Sequence, residues 1–183
     1  MDVETTPLSG VMLIKPKVFG DDRGFFLESW NRCAFAEAGI PSDFVQDNHS
    51  RSRQGILRGL HFQTQQPQGK LVRVISGSVY DVTVDLRTNS ATFGQWFGCL
   101  RSAENKTQLW VPPGFAHGFF TLSEHAEVLY KTTDFWSRDC ERAIRWDDPQ
   151  LAIRWPTTAQ PLLSEKAAMG PLLTDLSDQD LFS

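Results

Sequence analysis

Leu71-Val72-Arg73-Val74-Ile75-Ser76-Gly77-Ser78-Val79-Tyr80-Asp81-Val82-Thr83-Val84-Asp85-Leu86 is the stretch whose reading decides the fold class. Two short β-branched runs alternate in character, as strands with unlike faces do. Ser76-Gly77 between them reads as a turn, so the expectation is a hairpin of Leu71–Ser76 and Val79–Leu86. In the first run Lys70, Val72 and Val74 share one face while Leu71, Arg73 and Ile75 share the other. Lys70 is thereby compatible with an apolar lining.

The same alternation, punctuated by Gly, Pro, Asn or Ser, recurs on both sides of this stretch. Strands are predicted at Val11–Ile14, Phe25–Trp30, Phe44–Ser50, Ile56–Gln63, Gln95–Cys99, Gln108–Val111, Gly118–Leu122 and Glu127–Phe135. One short helix is predicted over Arg32–Ala38, capped by Asn31 and ended by Gly39 and Pro41. From Asp147 the Pro-rich chain is expected to wrap the strands as loops and one-turn helices, with residues 172–183 frayed. The expected fold is all-β, a jelly-roll barrel or sandwich with short peripheral helices, in one domain over residues 1–183.

Composition narrows the function classes. At 183 residues and 40% hydrophobic, the chain can build one sizeable core. A net charge of -4 provides no basic field for nucleic acid, so an anionic ligand must be caught by a few placed cations. Cys33, Cys99 and Cys140 are scattered and odd in number, which reads as reduced structural thiols. Val11 to Ile14 is too short for a signal core and no run approaches a bilayer span, so a cytoplasmic protein without membrane contact is expected.

Chemistry concentrates in Gly59-Leu60-His61-Phe62-Gln63, in Gln68-Gly69-Lys70, and in Pro112-Pro113-Gly114-Phe115-Ala116-His117-Gly118-Phe119. The third resembles the P-x-G-x-x-H half of a cupin signature. A metal-binding cupin also needs H-x-H in its first half, and here His61 is followed by Phe62 and Gln63, so no metal is expected. His61, Lys70, His117 and Tyr130 instead supply a base, a cation and a phenol. Such a set suits removal of a proton next to a ketone, with the enolate oxygen stabilised and a proton returned from the opposite face.

Longer motifs make the resemblance specific. Asp22-Arg23-Gly24-Phe25-Phe26 with Glu28, then Phe44-Val45-Gln46-Asp47-Asn48-His49-Ser50, then Gly55 through Gln63, occur in the order of the dTDP-4-dehydrorhamnose 3,5-epimerase family. Leu129-Tyr130-Lys131 and Ile144-Arg145-Trp146-Asp147-Asp148-Pro149 continue the pattern, which spans about residues 10 to 166. The resemblance implies a jelly-roll homodimer acting without a cofactor on a dTDP-linked 4-keto-6-deoxy sugar. It implies His61 as base, Tyr130 as acid and Lys70 at the C4 oxygen. Substrate contacts then fall on Arg23, Glu28, Gln46, Asn48, Arg58, His117, Glu141 and Lys166, with Phe19 or Phe25 able to stack on thymine.

Two features depart from a simple transfer. Arg58 and His61 lie three apart, so both face one pocket only if Gly59 marks a bulge, unless Arg58 serves a second subunit. Many family members follow Ser-Glu-Lys with an Asp that pairs with the base, whereas Ser164-Glu165-Lys166 is followed here by Ala167. Asp81 is the expected substitute as orienter of His61. His49, His125 and the six tryptophans read as structural. A mono-epimerase acting at C3 or C5 alone, a metal-dependent cupin and a non-catalytic sugar-nucleotide binding module remain open alternatives.

Overall fold

A computed structural model describes residues 1–40 and 43–183, so Pro41 lies outside the described residues. The chain runs β1 (Asp2–Thr5), β2 (Met12–Lys15), β3 (Val18–Asp21), β4 (Gly24–Leu27), α1 (Arg32–Glu37), β5 (Gln46–Arg53), β6 (Leu57–Gln63) and β7 (Lys70–Ser76). It continues through β8 (Ser78–Asp85), β9 (Trp96–Ser102), β10 (Gln108–Val111), β11 (Phe115–Thr121), β12 (His125–Thr132), β13 (Glu141–Ala143) and the single-turn α2 (Glu165–Ala168). Six strands form one sheet in the order β1-β2-β10-β7-β12-β5, and five form a second in the order β13-β6-β11-β8-β9. All of these pairings are antiparallel. The two sheets pack as the expected jelly roll. As predicted, Asn31 caps α1, its Oδ1 accepting from Ala34 N at 3.1 Å.

The predicted hairpin does not form. β7 pairs with β10 and β12, while β8 pairs with β9 and β11 in the other sheet. Ser76-Gly77-Ser78 is a corner that carries the chain between sheets. Gly77 has φ +70°, and a Cβ there would lie 2.0 Å from the His125 carbonyl oxygen. Alternation flanking a Ser-Gly turn is common to hairpins and sheet-to-sheet corners. Only the long-range partners of each strand distinguish them.

β8 shows why its buried run is continuous. Val79 enters the core between the sheets with Val72, Val74, Val128, Phe115 and Phe119, whereas Val82 and Val84 point outward into a second core. The C-terminal wrap closes that second core with Ile144, Leu151 and Leu173, and with the half-buried Trp155 and Phe182. Residues 172–183, expected to fray, are thus part of the packing. Thr88 N donates to the Phe182 carbonyl at 2.6 Å, and Leu173 N donates to the buried Asp148 at 2.6 Å. Leu173, Leu176, Leu181 and Phe182 carry this anchoring. A third core lies on the outer face of the six-stranded sheet, where Phe35 of α1 meets Trp110, Leu71 and Ile14.

Three strands escaped the sequence reading. β3 and β13 are short, and β1 is exposed throughout, so none carries a two-faced alternation. β3 and β4 form a two-stranded ribbon apart from both sheets.

The bulge required at Gly59 is present. Arg58 sits opposite Phe119 and His61 opposite His117, so three steps on β6 match two on β11. Gly59 has φ +126°, and its peptide bond to Leu60 is cis. A Cβ at Gly59 would stand 2.5 Å from Gly118 Cα and 2.8 Å from the His117 carbonyl oxygen, so the two backbones touch there. Gly59→Ala is therefore expected to destabilise the protein by more than the ~1–3 kcal/mol of backbone strain alone. Gly24→Ala, at φ +128° with nothing within 4 Å of the added Cβ, isolates the strain component. Urea midpoints of the two variants check the difference.

Candidate active site

The bulge sets the site. By directly pairing His61 with His117, it points both imidazoles to the same face of the sheet. Arg58, one bulge away, lines the same cavity, so both members of the parity problem face inward. Lys70 enters from β7, Tyr130 from β12 and Glu141 from β13. The structure thus gathers His61, Lys70, Tyr130, Arg58, His117 and Glu141 around one cavity. Lys70 is buried, and its Nζ donates to the His61 carbonyl at 3.2 Å, which fixes the ammonium beside the base.

Burial and like charge act together on the two central groups. Burial pushes the His61 imidazole down to about 4, the Lys70 ammonium pushes the same way, and Glu141 opposes them. Lys166 and His117 add to the lowering. His61 is consequently neutral near pH 7 and able to accept a proton. Burial likewise lowers Lys70 to about 8, against the opposing charges of Glu141 and Asp81. Tyr130 is raised by burial and by Glu141, so its phenol keeps its proton at neutral pH.

Glu141 is the only carboxylate lining this cavity among the described residues. Burial alone would raise its carboxyl, but hydrogen bonds from Lys166 and Trp136 overcome that and hold it below the ordinary range. Lys166 forms an ion pair with Glu141 Oε2, and Trp136 Nε1 donates to Oε1 at 3.2 Å. Lys166 thereby joins the rim of the site. Gln46 Nε2 donates to Asn48 Oδ1 at 3.0 Å while Gln46 Oε1 accepts from Trp136 N at 3.1 Å, tying β5 to the same rim. Trp136 lines the cavity at 52% exposure, which the sequence reading missed. Its signal was its place five residues before Glu141.

Two expected placements differ, that of Asp81 and that of Arg23 with Glu28. Asp81 does not serve His61: its Oδ1 accepts from His117 Nε2 at 2.6 Å, with both residues buried. The register explains this, since Asp81 lies opposite Phe119 on β11, one diagonal step from His117 and a full strand away from β6. Arg23 and Glu28 are exposed and do not line the cavity. Arg23 is ion-paired with Asp21 at 2.5 Å within the β3–β4 ribbon. Gln63 is not among the lining residues: its amide donates to the Gln66 and Phe135 carbonyls and accepts from Ser137 N, bracing the segment that carries Trp136.

Residues 5–175 match the family model described as dTDP-4-dehydrorhamnose 3,5-epimerase. The chain belongs to the dTDP-4-dehydrorhamnose 3,5-epimerase family. It is 63% identical to the dTDP-4-dehydrorhamnose 3,5-epimerase of Pseudomonas aeruginosa over 90% of this chain and 92% of that one. The crystal structure of dTDP-6-deoxy-D-glucose-3,5-epimerase from Legionella pneumophila, in complex with dTDP-4-keto-L-rhamnose, superposes with a TM-score of 0.96 at 49% identity. That match covers 99% of this chain and 97% of the other. A 3'-monoepimerase from Streptomyces bikiniensis in complex with dTDP-quinovose shares the fold at TM-score 0.87 and 30% identity, covering 92% and 86% of the two chains.

In the protein without substrate, the His61 ring is expected to titrate near 4 by proton–nitrogen NMR, and Glu141→Gln is expected to lower it further. An unfolded His holds its proton up to about 6.5, so the unfolded state binds more protons between about 4 and 6.5. The His61 contribution to stability therefore falls as pH drops through that window. Urea unfolding of the wild type against His61→Gln across the window checks the sign.

Proposed function

We propose that this chain epimerises dTDP-4-dehydro-6-deoxy-D-glucose at C3 and C5 to give dTDP-4-dehydro-L-rhamnose. The convergence of His61, Lys70 and Tyr130 on one cavity carries the proposal. A neutral imidazole, a buried ammonium and a protonated phenol are the three parts that inversion next to a ketone requires.

His61 removes the C5 proton as the C–H electron pair moves into an enolate, whose C4 oxygen is stabilised by the Lys70 ammonium. Tyr130 returns a proton to the opposite face, inverting the carbon, and the resulting phenolate regains its proton from solvent. His61 releases its own proton before the same sequence repeats at C3. Because His61 sits among cations, its imidazolium is short-lived, which favours release between the two steps. Arg58 and His117 are placed for the anionic diphosphate, and Glu141 with Lys166 for the sugar or its linkage.

The active unit in this reading is a homodimer. The β3–β4 ribbon pairs with neither sheet and exposes Phe25 at 63% and Phe26 at 69%. Apolar surface of this kind favours burial against another chain. Arg23 and Glu28, remote from the cavity of their own chain, then serve the site of the second copy. A nucleotide-linked substrate assigns the work to the cytoplasm, where nucleoside triphosphates activate sugars.

Incubation with dTDP-4-dehydro-6-deoxyglucose in deuterated water, followed by proton NMR, is expected to show exchange and inversion at both C3 and C5, abolished in His61→Ala. Exchange at one carbon alone would favour the mono-epimerase reading that the Streptomyces bikiniensis relative represents, and no exchange would overturn the proposal. Light scattering is expected to give a dimer. A Phe25→Asp, Phe26→Asp double variant is expected to be monomeric and inactive.

A further inference from the structure

Five side chains carry a buried polar atom without a protein partner among the described residues; besides Trp30 and Ser50 these are Asp81 (Oδ2), Arg101 (Nε and Nη2) and Thr121 (Oγ1). Asp81 and Thr121 are fully buried and Arg101 is 1% exposed. The register brings them together. Arg101 on β9 and Thr121 on β11 both lie opposite Val79 of β8, one on either side, and Asp81 is two residues along β8 on the same inward face. Such diagonal neighbours remain within reach of a side chain as long as arginine.

Cys99, directly opposite Asp81, lies in the same row. Its thiol is pushed up to about 12 by burial, with the Arg101 charge opposing and the Asp81 charge adding, so both ions act on one point. Arg101 lies on the edge strand β9, yet it is buried while Leu100, on the opposite face, is 55% exposed, so the charge is directed between the sheets. A guanidinium does not lose its proton in a protein, and burying it without a compensating charge is strongly unfavourable. The compensating charge available on this face is Asp81.

We propose that Arg101 is the buried counter-charge of Asp81 and thereby a positioning residue for His117, the two charges being joined through ordered water that Thr121 helps to hold. Asp81 already accepts from His117 Nε2 through Oδ1, and its second oxygen is the one without a protein partner. A water accepting from both Thr121 and Arg101 and donating to Asp81 Oδ2 gives each of the three residues a partner. With both oxygens engaged, the carboxylate plane is fixed. His117 is then held in the tautomer that donates from Nε2, leaving Nδ1 for the cavity.

The test uses the full chain, nitrogen-15 labelled and without substrate, reading the tautomer of His117 and the solvent exchange of its Nε2 proton. The substrate-free readout keeps this inference separable from the epimerase proposal, since either can fail while the other stands. Arg101→Met, which keeps length and removes charge, is expected to speed that exchange about tenfold, the order lost with roughly one hydrogen bond, and to mix the tautomers. Arg101→Lys is expected to restore most of the wild-type behaviour. The melting temperature of Arg101→Met is expected to fall, because removing one partner leaves the buried Asp81 carboxylate without its counter-charge. An unchanged His117 signal in Arg101→Met, or an Arg101→Lys protein no better than Arg101→Met, would overturn the proposal. Should Arg101→Met not fold, Thr121→Val is expected to speed the same exchange relative to Arg101→Lys, and an unchanged rate there would equally reject it.

Discussion

Gly59 and Gly118 meet where no side chain fits, and much of the site's geometry follows from that contact. Close approach of the two backbones forces one extra residue into β6, and the bulge turns Arg58 and His61 toward the same space. His117 then lies directly opposite His61. A Cβ at either glycine would meet backbone within 3 Å, and backbone cannot rotate away as a side chain can. The scaffold that aims the catalytic groups is therefore rigid main chain, with the six-stranded sheet contributing Lys70 and Tyr130 from across the sandwich.

Electrostatics within the cavity are arranged around one carboxylate. Lys70, Lys166 and His117 all disfavour a charged His61, and Glu141 alone counters them among the groups that act on the ring. The base is consequently kept uncharged at the expense of intrinsic strength, and a buried cation beside it must supply the stabilisation that the enolate needs. His117 has a separate support in Asp81, on the far side from β13. Two histidines that face each other across one ladder thus have different environments, one amid cations and one fixed by a buried carboxylate. This asymmetry separates the proton-moving role from the ligand-holding role.

Much of this was legible in the sequence where local pattern and motif agree. The alternation of Leu71–Leu86 identified two strands, Asn31 marked the helix start, and the three-residue spacing of Arg58 and His61 left either a bulge at Gly59 or an Arg58 that serves a second subunit. His61, Lys70, Tyr130, Arg58, His117 and Glu141 were named from motifs and meet in one cavity. What was not legible depends on contacts between distant segments. Ser76-Gly77 looks the same at a hairpin and at a corner between sheets, and only the partners of β7 and β8 decide. The pairing of Asp81 with His117 rather than His61 depends on strand order, to which alternation is blind. Arg101 lies outside every motif, and its burial emerges only from register.

The outer face of the five-stranded sheet is covered by segments that follow all thirteen strands in the chain. During synthesis, Val82, Val84 and Leu86 therefore emerge long before Leu151, Leu173 and Phe182, the groups that shield them. A growing chain can close the space between its sheets while that outer surface is still bare. The interval leaves an apolar sheet face open to association with other chains, and the last turn of sequence acts as the latch that ends it.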